Sequence, residues 1–462
     1  MRVIALVALV ASLAHAQSAP PVRRPVRVSD ALCVSQSDGP FLALAPAARD
    51  LYLAALADAG WKLMRTDFTW SRIQPAPPPA ALDFSRYDDL VDRAAAHGVR
   101  LLGILDYGVD WAASAAPAGD DRYPPDDPGA FAAFAGETAT RYRRRVEGWE
   151  VWNEPNNGLS GFWKPAPDPA AYARLAGPAA RALRRADPRA TVVTGGLAPT
   201  LDLILYGRDY GFFSAATSAD KKWHRKFQAA AVHPYTFLQA PPPEADDPSM
   251  PGFLSVTHQM RDFRDRLTES NAARLPLWVT ELGWHTAPES GVAGFPPGVS
   301  ELDQARYLVR SVILALSQRA ERVCWYTLLD YPNFATDKEA AFGLFRYQPD
   351  PTAAPLDPKP SYAAARTLAH VLGPSRFVRD MRVELGLPQE SYAFAFRNKK
   401  GRQTVVVFWA TADGVAISPL VSPVYRDVRR VEMDGTESDL GDPDQLDLTL
   451  GPTPFYVVFE DR

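Results

Sequence analysis

Short runs rich in β-branched and aromatic residues alternate with longer Ala- and Leu-rich segments over most of this chain, and that alternation constrains its fold more than any other feature. Strand, helix and strand in succession make βαβ units, which build parallel sheet. Eight strands can be placed: Ala31 to Ser35, Lys62 to Phe68, Arg100 to Asp106, Val146 to Asn153, Thr191 to Leu197, Ala229 to Tyr235, Leu277 to Glu281 and Arg322 to Leu329. Between and after them the pattern predicts helices over Arg49 to Ala59, Ser85 to His97, Gly129 to Tyr142, Ala170 to Ala186, Leu254 to Thr268, Leu302 to Ser317 and Tyr362 to Leu372. Asp83 precedes the second helix and His97-Gly98 closes it, as capping preferences require. A further helical candidate, Ser218 to Phe227, lies between the fifth and sixth strands. No Gly-rich phosphate loop follows the first strand, so the count favours an α/β fold closed as a (β/α)8 TIM barrel over an open doubly wound sheet.

The helical pattern stops at Gly373-Pro374. Beyond it, alternating runs at Ser391 to Arg397, Gln403 to Ala410, Val428 to Met433, Gln445 to Leu450 and Phe455 to Phe459 predict antiparallel strands, with a hairpin turn over Asn398 to Gly401. With 462 residues, 47% of them hydrophobic, the chain is long enough for one large domain and a smaller companion. We expect a catalytic barrel over residues 17–373 and a small C-terminal antiparallel β-sandwich over 374–462. At the start, Arg2, the apolar run Val3 to Ala14 and the small residues of Ala14-His15-Ala16 read as a signal peptide over residues 1–16, which implies a secreted or periplasmic protein. That run is too short to span a bilayer, and no later stretch is long and apolar enough, so no membrane span is expected.

A net charge of -4 gives no global basic surface for nucleic acid. Local basic runs at Arg141 to Arg145 and Lys221 to Lys226 read as solvated faces, with an anionic glycan as the minority reading. The seven His residues show no His-x-His or His-Glu-x-x-His spacing, so neither a metal nor another cofactor is expected. Cys33 and Cys324 read as two small buried hydrophobes, a bridge being open to them only if their strands are neighbours. Nothing in the sequence sets an oligomeric state.

Two glutamates carry the chemistry. Glu154, in Glu150-Val151-Trp152-Asn153-Glu154-Pro155, ends the fourth strand, and Glu281, in Leu277-Trp278-Val279-Thr280-Glu281-Leu282-Gly283-Trp284, ends the seventh. Strand alternation sets Leu277, Val279 and Glu281 on one face, and both glutamates on the C-terminal rim where such barrels hold their active sites. A carboxyl pair on one rim suits glycoside hydrolysis, one group protonating the leaving oxygen while the other attacks or activates water. Glu150 shares the face of Glu154 but lies deeper, and reads as a paired structural carboxylate.

Trp152-Asn153-Glu154-Pro155 and Thr280-Glu281-Leu282-Gly283-Trp284 resemble the motifs of clan A glycoside hydrolases, and the resemblance runs from about Val34 to Gly373. Within the clan the chain is similar to family 39, and Arg65-Thr66-Asp67-Phe68-Thr69-Trp70, Leu82 to Asp88 and Ile104 to Gly108 favour its PslG-type branch of bacterial exopolysaccharide hydrolases. The resemblance implies a carbohydrate substrate, with Glu154 as acid/base and Glu281 as nucleophile of a retaining glycosidase. It implies that Arg65 and Tyr235 hold the nucleophile ionised, that Asn153 binds a hydroxyl, and that His233 and Trp284 belong to the site. Trp325 would be a sugar platform. Core packing is the alternative for both tryptophans, and a structural role for His233. The first strand, Cys33-Val34-Ser35-Gln36-Ser37, departs from the family pattern.

A different class of reading is a non-catalytic carbohydrate-binding or matrix protein on the same scaffold. The loops Gln239 to Pro251 and Ala287 to Val299 follow the sixth and seventh strands and would shape the subsites.

Overall fold

In the computed structural model, which describes residues 24–158, 160–199, 210–236, 242–246, 255–289 and 297–462, the eight expected barrel strands form one parallel sheet. They are β1 (Leu32–Ser35), β2 (Leu63–Thr69), β3 (Arg100–Asp106), β4 (Gly148–Val151), β5 (Thr191–Thr194), β6 (Ala230–Val232), β7 (Leu277–Leu282) and β8 (Arg322–Tyr326). Their order is β5-β4-β3-β2-β1-β8-β7-β6, so the first and last strands are neighbours. Parallel bridges from Val193 to Ala229 and from Leu197 to Val232 join the two outer strands and close the barrel. Helices at Pro46–Asp58, Ser85–Ala96, Pro128–Arg141, Pro169–Ala186, Val256–Glu269, Glu301–Ser317 and Pro360–Leu372 lie within a few residues of the predicted ones. Their starts are fixed chemically: Asp168 takes the N–H groups of Ala170 and Ala171 at 2.9 Å ahead of Pro169. Between β5 and β6 the expectation shifts. A helix runs over Gly211–Ala219, where Phe212, Phe213 and Ala216 are buried, and the predicted segment holds only a 3-10 turn at Trp223–Lys226.

Cys33, Leu63, Leu102, Val193, Ala229, Ala231, Trp278 and Cys324 fill the lower barrel as one apolar layer. Two expectations change here. Cys33 and Cys324 stand opposite each other in the β1 and β8 register and form a disulfide, so they are not merely small buried hydrophobes. On β7 it is Trp278 that fills the barrel, while Leu277 and Val279 pack with the surrounding helices. Glu281 therefore does not share their face; a register irregularity between Val279 and Leu282 turns it inward.

After Leu372 the chain forms β9 (Arg376–Asp380), β10 (Ser391–Asn398), β11 (Gln403–Ala410), β12 (Val415–Ile417), β13 (Tyr425–Val431), β14 (Glu437–Gly441), β15 (Leu448–Leu450) and β16 (Phe455–Asp461). Six of these make an antiparallel sheet in the order β14-β13-β16-β11-β10-β9, and β12 with β15 makes a two-stranded ribbon. Alternation along β11 gives the sheet two apolar faces. Val405, Val407 and Trp409 join the hydrophobic cluster of the barrel, whereas Val406, Phe408 and Ala410 pack with Leu448 and Leu450 of the ribbon. The sandwich is thus uneven, six strands against two. Among the described residues no helix is long and apolar enough to cross a membrane. The expected signal peptide lies outside the described residues, as does most of the two rim loops at 239–251 and 287–299.

Candidate active site

Above the apolar layer the barrel interior turns polar, with the buried Arg65 of β2 at its centre. Its Nε and Nη2 donate to the two oxygens of Glu150 at 2.8 and 3.0 Å, Nη1 donates to Glu281 at 2.5 Å and to Ser35 at 3.0 Å, and Nη2 also reaches Asn153 Oδ1 at 2.9 Å. The guanidinium fork thus ties β2 to β1, β4 and β7. Glu150 is the paired structural carboxylate expected of it, and also accepts the Gly196 N–H at 2.8 Å.

Glu154 reaches the rim by a route that alternation does not foresee. β4 ends at Val151, and Trp152 and Glu154 take left-handed φ values of 69° and 42°. The Glu154 N–H is held by the Gly196 carbonyl at 3.1 Å. Its side chain is fixed on both sides: Asn157 donates to Oε2 at 2.6 Å, and His233 Nδ1 stands 2.8 Å from Oε1. His233 Nε2 lies 3.0 Å from the Thr280 hydroxyl, which lies 3.3 Å from Glu150. Thr280 has one proton to give; with that proton on Glu150, its oxygen accepts from His233 Nε2, and Nδ1 faces Glu154. The imidazole fits because residue 196 is glycine: a Cβ there would lie 2.1 Å from Nε2.

Across the barrel axis, Glu281 accepts from Arg65 and, through Oε2, from the Tyr235 hydroxyl at 3.1 Å. Burial pushes its carboxyl above the ordinary range and outweighs the pull of His233 and Arg65, with the Glu154 charge adding to the rise. Burial and Glu281 hold the Tyr235 phenol far above its usual value, which keeps it a donor. One oxygen from each glutamate and a ring nitrogen of His233 all lie within 4.8 Å of one another.

Six of the eight residues singled out from sequence therefore meet in one network: Arg65, Asn153, Glu154, His233, Tyr235 and Glu281. Trp284 and Trp325 do not join it. They stack on each other with ring centroids 6.1 Å apart and are 4% and 1% exposed, so neither presents an open face for a sugar to lie on. Tyr107 adjoins the polar network: its hydroxyl accepts from Asn153 Nδ2 at 3.2 Å and its ring stacks on Phe162 at 5.8 Å. Sequence reasoning also missed Asn157. Its position three residues beyond Glu154 was the available signal.

A closed (β/α)8 barrel with a glutamate beyond β4, a glutamate on β7 and a buried arginine between them defines a clan A glycoside hydrolase, an enzyme acting on carbohydrate. The model of the family described as cellulase (glycosyl hydrolase family 5) matches residues 43–308, and the chain belongs to that family. No curated protein matches it. Among solved structures it is similar to a family 39 glycoside hydrolase from Bacteroides cellulosilyticus WH2, at TM-score 0.69 and 20% identity over 94% of this chain and 82% of that one. It is similar to a monomeric beta-xylosidase from Caulobacter crescentus CB15, at 0.64 and 17% over 95% and 97%. A GH30 endoxylanase from Clostridium papyrosolvens C71 aligns at 0.61 and 11% over 95% and 97%. At these identities the likeness is one of fold.

Proposed function

We propose that this protein is a retaining glycosidase that cleaves an oligo- or polysaccharide by double displacement. Glu281 attacks the anomeric carbon while Glu154 protonates the leaving oxygen, and Glu154 then takes a proton from water as it displaces the enzyme-bound sugar. The observation that carries this reading is the approach of the two carboxyl groups to within 4.8 Å. Retention needs about 5 Å, whereas inversion needs roughly 6.5 Å or more to admit a water between them. Arg65 and Tyr235 give Glu281 fixed donors, and His233 and Asn157 hold Glu154 in one orientation.

The family-39-like motifs support a place among bacterial exopolysaccharide hydrolases, acting outside the cytoplasm after export by the leader. In that reading residues 17–373 form the catalytic barrel and residues 374–462 an accessory domain. The test is reducing-end release from a panel of bacterial and plant polysaccharides by wild type, Glu281→Ala and Glu154→Gln. Hydrolysis should fall by three orders of magnitude or more in each variant, as expected when a covalent nucleophile or its proton donor is lost. Undiminished turnover in either variant sinks the assignment, and proton NMR of the first-formed anomer decides retention.

A further inference from the structure

Beside the two glutamates stands a second group of carboxyls that the double displacement does not use. It comprises Asp38 beyond β1, Asp67 of β2 and Asp106 at the end of β3. Asp67 is two residues beyond Arg65, on the same inward face of β2, and so lies about 6.6 Å higher toward the rim. Asp38 is fully engaged: it accepts from Tyr87 at 2.5 Å, Thr69 at 2.9 Å and Arg72 at 2.7 Å. Its backbone N–H in turn donates to Asp67 Oδ2 at 3.0 Å, and Asp67 is half-buried.

Asp106 is buried, and neither of its carboxyl oxygens meets a donor. A carboxylate left so would be costly, whereas a protonated one has a hydrogen to give. Asp67 is within its reach, and burial together with the charges of Asp67 and Asp38 drives the Asp106 carboxyl well above the ordinary range, so it stays neutral. Asp67 is then held by two donors from behind, the Asp38 N–H and the Asp106 carboxyl. Next along the chain, Tyr107 bonds Asn153 and feels the charges of both Asp67 and Glu281, which makes Asp67 continuous with the site.

We propose that Asp67 is a substrate-binding residue of this enzyme, accepting hydrogen bonds from hydroxyls of an uncharged sugar, with Asp106 as the positioning residue behind it. Because this wall is anionic and its nearest cations, Arg65 and Arg72, are already paired, it selects against uronic acids. The inference rests on the glycosidase reading above and adds the charge class of the sugar.

The experiment assays reducing-end release from neutral xylan, glucan and mannan, and from polygalacturonate and alginate. Wild type should cleave a neutral polymer and leave both polyuronates intact. On the polymer cleaved, Asp67→Ala should raise KM about tenfold or more with a smaller change in kcat, the loss expected for hydrogen bonds to a charged acceptor. Asp106→Leu should behave in the same way, and Asp106→Asn, whose amide can still donate to Asp67, should recover most of the lost affinity. Each variant is checked for wild-type far-UV circular dichroism. Cleavage of polyuronate alone, no cleavage of any polymer, an unchanged KM in Asp67→Ala, or equal loss in Asp106→Asn and Asp106→Leu would overturn the proposal. Glu281→Ala separates the two readings, since hydrolysis surviving there refutes the catalytic glutamates while the Asp67 variants are judged on KM.

Discussion

Arg65 and Glu281 meet at 2.5 Å, and the other edge of the same guanidinium is held by Glu150. The arginine is therefore both a structural partner and an electrostatic one. Replacing it with Gln strands Glu150 as a buried charge, which should cost about 3–5 kcal/mol of stability. It also removes a cation that pulls the Glu281 carboxyl down, so the acidic limb of the kcat/KM profile should move to higher pH. Arg65→Gln combined with Glu150→Gln should regain thermal stability without restoring that limb. A limb that stays in place in both variants means that Arg65 does not set the ionisation of Glu281.

Gly196 accepts the Glu154 N–H and leaves room for the His233 ring. Gly196→Ala should push the imidazole away from Glu154 and slow turnover about a hundredfold, the usual effect of a shift near 1 Å at a reacting group. Thermal unfolding would show only a modest change. Full activity in this variant would mean that the His233 contact is dispensable.

Asp38 has its carboxyl raised to about 6, first by burial and then by Asp67, against the opposing pull of Arg72 and the Tyr87 and Thr69 hydroxyls. A carboxyl raised on folding contributes stability below its unfolded value, near 4, and that contribution is lost as pH rises through about 6. Asp38→Asn should therefore gain stability relative to wild type between pH 4 and pH 6. Parallel urea midpoints over that range check it, and a constant difference would exclude the effect.

Trp409 of β11 donates from Nε1 to Glu244 at 2.8 Å, and Arg310 of the Glu301–Ser317 helix also holds Glu244 at 2.8 Å through Nε. Glu244 follows β6 in the chain, the strand that leads into His233 and Tyr235, so the C-terminal sheet anchors the segment after that strand. Trp409→Phe should cost about 1–3 kcal/mol by leaving a buried carboxylate short of a donor. KM should rise with little change in kcat. Steady-state kinetics on a cleaved polymer distinguish this from a general loss of active enzyme, which would lower kcat alone.

Much of this was legible in the chain because strand and helix periods differ, and because Glu154 and Glu281 end runs whose period is unmistakable. What escaped the reading depends on breaks in those periods. The turn of Glu281 into the barrel comes from an irregularity on β7, and the route of Glu154 from left-handed backbone at Trp152 and Glu154, neither of which alternation can encode. Strands β9 and β14 carry charges at alternate or successive positions and lack the apolar signal of β11. Pairing of the cysteines required knowing that β1 and β8 are neighbours, a property of closure and not of any local window. Burial of Trp284 and Trp325 depends on each other's rings.

The disulfide between Cys33 and Cys324 spans 291 residues and lies at the floor of the barrel. Mechanically it is a short circuit. A pull on the two ends of the chain would pass from β1 straight to β8 through the sulfur atoms, leaving every strand that carries the glutamates, Arg65 and His233 outside the line of tension. Among the described residues only the segments outside the bridge, 24–32 and 325–462, would lengthen, and the strands bearing the glutamates would stay slack while the C-terminal sheet came apart.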